Sequence, residues 1–156
     1  MPKGLVVNKL PASCERAFDL IHDYDRRLEW DTLLSEAYLE PPFVFAEKGA
    51  VSLCRGRPIL GGIGLRTVYI TFDRGRLAAV KMINRPPFFE KFAASIRHIS
   101  ISKNTSMVEY RYSFLARPAI LRPILHPLMQ LFIRWETQKR LRALSDYLSE
   151  ATIRNK

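Results

Sequence analysis

Cysteine is scarce in this chain. Cys14 and Cys54 are the only two in 156 residues, with no metal-like spacing, so a disulfide framework is not the source of stability. A reduced, cytoplasmic setting is the expectation. Long apolar runs are also missing. The longest candidate, Ile120–Trp135, is cut by Arg, His and Pro and falls short of the ~18 unbroken apolar residues of a transmembrane helix. Met1–Leu10 carries Lys3 and Lys9 around a very short apolar run, unlike a signal peptide. Metal-ligand spacings are absent among His22, His98, His126 and the two cysteines, and no G-x-S-x-G occurs. Gly61-Gly62-Ile63-Gly64 lacks the Lys-Ser/Thr and the helix that a phosphate loop needs. No metal, cofactor or catalytic nucleophile is therefore expected.

Acidic residues thin out after the first third. Residues 1–50 hold 6 Lys/Arg against 9 Asp/Glu, whereas residues 51–156 hold 19 against 6, so a net −3 is followed by +13. This imbalance suggests an anionic partner, either nucleic acid, a membrane surface or an acidic ligand, with solubility as the alternative. The early acidic group Asp19, Asp23, Asp25, Glu29 and Asp31 is read as helix capping and pairing with Arg16, Arg26 and Arg27. The other reading is a paired-carboxylate active site.

What is present is a globular chain, 47% hydrophobic and 26% charged, whose length suits one domain over residues 1–156. Gly4–Leu10 reads as a strand ending at Pro11. Ser13 can cap a helix whose Cys14, Ala17, Phe18 and Ile21 share one face. A second short helix is expected over about Arg26–Leu34, capped by Asp25. The period then changes to two: Ser35–Leu39, Gly49–Arg55, Arg66–Asp73, Arg76–Ile83, Lys91–Ser102 and Ser106–Leu115 read as an antiparallel meander. Pro127 suits a first helical position. Beyond it, Leu128–Trp135 is apolar nearly all round, and Thr137, Leu141, Leu144 and Leu148 form the stripe of a long amphipathic helix.

This order resembles the START-like helix-grip superfamily, which includes Bet v 1-type and bacterial polyketide cyclase/dehydrase-type proteins. Leu10-Pro11-Ala12-Ser13-Cys14-Glu15-Arg16-Ala17-Phe18 is similar to the family's "P-A-S-x-E-x-x-F/W" helix start. Arg27-Leu28-Glu29-Trp30-Asp31 is similar to its "R-x-x-W-D" segment. The passage from Tyr110–Pro118 into a helix closing in Leu141, Leu144 and Leu148 is similar to its ending. The resemblance covers nearly the whole chain. It implies an α+β helix-grip fold, with an antiparallel six- or seven-stranded sheet wrapped around a long C-terminal helix and two short helices after the first strand. It also implies structural roles for Trp30, packing where the short helices meet the sheet, and for Asp31, fixing the chain turn. For function it implies binding or transport of a hydrophobic small molecule such as a lipid, quinone or polyketide-like compound. An aromatase/cyclase or dehydratase, drawing on Tyr110, Tyr112, Arg97 and His98, and an RNA- or ribosome-binding protein are the alternatives.

A sheet curled around one helix leaves space for an apolar ligand. Strand alternation selects Val51, Leu53, Val68, Ile70, Phe72, Val80, Met82, Ile99, Tyr110, Tyr112 and Phe114 as its lining, with Phe132 and Trp135 from the helix. Arg97 shares the phase of Ile99, and Arg55 that of Leu53. Each either enters the cavity as a partner for a polar headgroup or is turned outward by a bulge or strand end. The connections 55–65 and 84–90 and the end of the last strand should meet. Arg57, Leu60, Arg85, Phe88, Phe89 and Arg117 there suit docking on an anionic membrane, or else their apolar members fold inward as a lid.

Overall fold

A computed structural model describes residues 1–154. The elements are β1 (Lys3–Leu10), α1 (Cys14–Ile21), α2 (Arg27–Trp30), β2 (Leu34–Leu39), β3 (Val51–Gly56), β4 (Gly64–Asp73), β5 (Leu77–Met82), β6 (Phe89–Ser102), β7 (Thr105–Ala116) and α3 (Arg122–Arg154). Single 3₁₀ turns lie at Pro58–Leu60 and Ala119–Leu121. All seven strands pair antiparallel in the order β1-β7-β6-β5-β4-β3-β2, and the sheet curls into a half-barrel.

Local chemistry sets the ends of the elements. Ser13 Oγ accepts the Arg16 N–H at 3.2 Å and starts α1, whose Ala17, Phe18, Leu20 and Ile21 are buried. The second helix is shorter than the sequence suggests. It begins at Arg27, behind an Arg26 with no side-chain cap, and Asp25 does not cap it. The Asp23 carboxylate instead accepts the Asp25 N–H at 3.1 Å, using the acidic side chain to shape the preceding turn. Gly75 turns β4 into β5 at φ +79°, a conformation that strains any residue with a Cβ.

Helix α3 starts five residues before Pro127, which lies inside it. The 3₁₀ turn after Pro118 pre-winds the chain, so one missing amide donor interrupts the helix without ending it. The later part of α3 buries Thr137, Leu141, Leu144 and Leu148 against a core that includes Leu10, Phe18 and Val108. Asn8 Nδ2 donates to the Leu141 carbonyl at 3.2 Å and Gln130 Nε2 to the Lys3 carbonyl at 2.9 Å, fixing α3 along β1. Each fully buried Leu or Phe contributes about 2–3 kcal/mol of apolar transfer.

Candidate functional site

Between the concave sheet and α3 lies a cavity of about 220 Å³. Its walls come from alternate residues of the strands: Ser52 and Cys54 of β3, Leu65, Thr67 and Tyr69 of β4, Ala78 and Val80 of β5, Phe92, Ala94 and Ile96 of β6, and Tyr110 of β7. Phe132, Ile133, Glu136, Thr137 and Arg140 of α3 face them. Leu60 and Ile63 of the β3–β4 connection and Phe89 at the start of β6 line it at one end, with half-exposed Phe132 also in the lining. We take this as the mouth.

The polar side chains of the lining are mostly satisfied by one another. Ser52 Oγ and Thr67 Oγ1 lie 3.0 Å apart. His22 Nδ1 is 2.8 Å from the Tyr69 hydroxyl, which is 2.9 Å from that of Tyr24. Burial drives the His22 pKa well below its usual value, helped by the charge of Arg27, so its ring is neutral at pH 7. Burial, reinforced by Tyr24, raises the Tyr69 phenol well above its usual range. His22 Nε2 is buried and has no hydrogen-bond partner among the described residues.

A second cluster joins both short-helix and long-helix elements. Arg27 Nε donates to Asp31 Oδ2 at 2.9 Å, and Arg140 Nε and Nη2 donate to Oδ1 and Oδ2 at 3.0 and 2.8 Å. Burial alone would raise the Asp31 carboxyl. The guanidiniums of Arg140 and Arg27 outweigh it and hold the pKa at about 2. Both arginines line the cavity and screen the carboxylate from it. Glu136 also lines the cavity, its carboxylate 3.6 Å from Lys139 Nζ. The two thiols are free, and burial raises that of Cys54, which suits packing and not nucleophilic attack.

The whole molecule superposes on proteins of known structure. It is similar to Zhui aromatase/cyclase from Streptomyces sp. R1128, with TM-score 0.81 and 11% identity over 99% of this chain and 96% of that one. It is also similar to a START superfamily protein from Mycobacterium smegmatis, with TM-score 0.79 and 9% identity over 96% and 98%. The fold is the START-like helix-grip fold. The di-domain ARO/CYC StfQ from the steffimycin biosynthetic pathway is similar over 96% of this chain and 52% of its own, at TM-score 0.75 and 11% identity. No family model and no curated protein matches the sequence. Identities this low establish the helix-grip architecture, and function must be argued from the site.

The helix-grip cavity receives only some of the side chains that strand alternation selects. Val80, Tyr110 and Phe132 line it. Phe72 packs beside it, its ring 5.1 Å from Phe18 and 5.5 Å from Tyr69. Tyr112 and Phe114 face the same way but are buried in a neighbouring cluster with Ala94. Met82 shares the register of Thr67 without reaching the lining.

The β3 and β4 assignments are corrected. Ser52, Cys54, Thr67 and Tyr69 face the cavity, whereas Val51, Leu53, Val68 and Ile70 do not line it. A register shift between Tyr69 and Thr71 then brings Phe72 inward. The more apolar phase is not the cavity phase here because a cavity wall, unlike a packed core, accommodates paired hydroxyls. On β6, Arg97 and Ile99 are exposed, while Ala94 and Ile96 line the cavity and His98 is buried. No bulge is needed for this: the inward set is the even-numbered one. Arg55 is likewise outward, near Glu36 at 3.8 Å. Trp135 is 58% exposed, with Lys139 Nζ 4.4 Å from its ring centroid, and does not line the cavity.

The three connections do meet. Asn84 Nδ2 donates to the Gly64 carbonyl at 2.9 Å, and Arg117 donates to the Pro86 carbonyl at 3.0 Å. The residues proposed for membrane docking divide between the two readings. Leu60 and Phe89 turn in to the cavity, whereas Arg57, Arg85 and Phe88 are exposed. Arg85 pairs with Glu90. Trp30 is buried under Arg27, whose guanidinium lies 5.0 Å from the ring centroid. Asp31 Oδ1 accepts the Leu33 N–H at 3.2 Å and fixes the turn there. No group of three or more potential metal ligands lies together among the described residues, and no described helix is long and apolar enough to cross a membrane.

Alternation alone could not reveal the His22–Tyr69–Tyr24 chain or the place of Arg140. Tyr24 and His22 sit at the end of α1, outside any strand pattern, and Arg140 lies one turn from Glu136 on what reads as a basic surface.

Proposed function

We propose that this protein binds a hydrophobic small molecule, a lipid, quinone or polyketide-like compound, between its sheet and α3 and carries it without chemical change. The cavity carries this reading: its wall is mainly apolar, it opens at one end, and its polar groups are largely paired. A ligand therefore gains mostly from apolar burial, with Thr137, Tyr110 and the two arginines available to orient a polar end. Native mass spectrometry of freshly purified protein, followed by solvent extraction, tests it. A stoichiometric apolar compound supports the carrier reading, and co-purifying nucleic acid supports RNA binding. The carrier would make peripheral contact with anionic membrane at the cavity mouth, where Arg117 reaches the Arg85 and Pro86 carbonyls and exposed Arg57 and Arg85 lie on the two adjoining connections.

A cyclase or dehydratase reading draws on the likeness to aromatase/cyclases and on the His22–Tyr69–Tyr24 chain. His22, Tyr24 and Tyr69 all line the cavity, but against this reading the Tyr69 phenol, raised well above its usual range by burial, is a poor acid at neutral pH. A turnover that vanishes in Tyr69→Phe, with ligand binding unchanged, would favour the enzyme. RNA binding rests on charge alone, since the aromatic residues of β7 face inward and build no stacking platform.

A further inference from the structure

Helix α3 buries one face along its later part, but its first half carries a second apolar face that none of the described residues covers. Ile120, Ile124, Leu128, Leu131 and Trp135 are 85%, 62%, 59%, 70% and 58% exposed. Ile120 belongs to the 3₁₀ turn that leads into α3; the other four follow one another at four, three and four residues, which keeps them on one side of the helix. Exposed Ile59 and Phe88 lie in the loops at the mouth end of the cavity, and the Phe88 carbonyl accepts the Arg117 N–H at 3.1 Å. A continuous apolar surface of this kind on a soluble domain marks an interaction site.

The surrounding charge selects the partner. From Arg117 to Ser145 the chain has Arg117, Arg122, Arg134, Lys139 and Arg142, besides an Arg140 already committed to Asp31, against one acid, Glu136. Glu136 is buried and sits beside Lys139. Arg134 of this run is exposed, and exposed Arg57 adds a further cation; neither pairs with an acid among the described residues. A second copy of this chain, net +10 overall, would bring like charge against like charge. We propose that the exposed face of the first half of α3 docks on an anionic lipid surface, its aliphatic side chains and Trp135 entering the interface while the arginines meet the headgroups.

This rests on the carrier reading above and adds a route to it. Phe132 is both 42% exposed beside this stripe and part of the cavity lining. Docking would therefore place the cavity mouth against the lipid, so that an apolar ligand could enter without crossing water. The chain order that produces this is simple: the residues between Pro118 and Trp135 are apolar on two sides, one for the sheet and one for the membrane. A lone amphipathic stripe would have served the sheet only.

The test is co-sedimentation of the full chain with vesicles of phosphatidylcholine alone and with added phosphatidylglycerol, for wild type and Leu128→Ser/Leu131→Ser. Both positions are exposed, so the double variant should fold, which circular dichroism checks. Binding of an apolar fluorescent probe to the cavity is measured in parallel. The expected results are preference of the wild type for anionic vesicles, release at high salt, and about tenfold or greater loss of partitioning in the variant with probe binding unchanged. Equal sedimentation of both proteins, no sedimentation of the wild type, or a wild-type dimer that the variant converts to monomer would overturn the proposal. Probe binding lost in both proteins would instead remove the carrier reading beneath it.

Discussion

Arg140 of the long helix closes on the Asp31 carboxylate after α2, gripping both oxygens across 109 residues of sequence. Arg27 holds the same carboxylate from the other side. This joint fixes α3 relative to the short helices and so sets the width of the cavity. Two guanidiniums share one buried carboxylate, so removing the carboxylate leaves both without their anion.

Asp31→Asn should therefore destabilise the protein by about 3–5 kcal/mol, the usual cost of breaking a buried charge cluster from one side. Arg140→Met should cost less, because Arg27 and Asp31 remain paired. Urea unfolding at pH 7 measures both. Equal, small losses would show that the cluster does not hold α3.

Stability should fall in mild acid. Burial holds His98 neutral, with a pKa of about 4, and depresses His22 as well. The unfolded chain takes up protons near the ordinary histidine value of about 6.5, so it binds more protons than the folded chain below that pH. The contribution is complete above about pH 6.5 and is lost as pH falls towards the folded pKa of His98. Between pH 6.5 and 4.5, His98 alone should cost about 2–3 kcal/mol. Denaturant midpoints across this range should drop for wild type and drop less for His98→Phe. The Asp31 carboxylate acts in a lower window, its contribution being lost only as pH falls from its ordinary range through about 2.

Gly4 of β1 should be intolerant of substitution for a reason unrelated to backbone freedom. It pairs with Tyr112 of β7, and a Cβ there would fall within the tyrosine ring. Gly4→Ala should displace Tyr112 and lower stability by about 1–3 kcal/mol, as overpacking does. Gly4→Ala/Tyr112→Leu should recover part of that loss. Thermal unfolding of the pair checks it.

The element order, the number of strands and the packed stripe of α3 were legible because each rests on periodicity. The phase of β3 and β4 was not. There Val51, Val68 and Ile70 are more apolar than Ser52, Thr67 and Tyr69, yet the latter three line the cavity. Hydropathy identifies the buried face of a packed sheet, but a ligand cavity relaxes that rule by pairing its own hydroxyls. The second apolar face of α3 was visible as a run apolar nearly all round, but only tertiary structure separates the side that packs from the side left exposed. The pairing of Asp31 with Arg140 leaves no local signature: the resemblance marks Asp31 as structural, but nothing in the sequence sets Arg140 apart from its basic neighbours.

The cavity itself is the proposed binding site. Titration of an apolar fluorescent probe into wild type, Ala94→Phe and Ala78→Leu measures whether that space is the binding site. Both alanines line it, and both substitutions fill it without adding polar groups. Saturable one-to-one binding by wild type, weakened about tenfold or more in folded Ala94→Phe and less in Ala78→Leu, is the predicted result. Equal binding by all three folded proteins, or none by wild type, would contradict it.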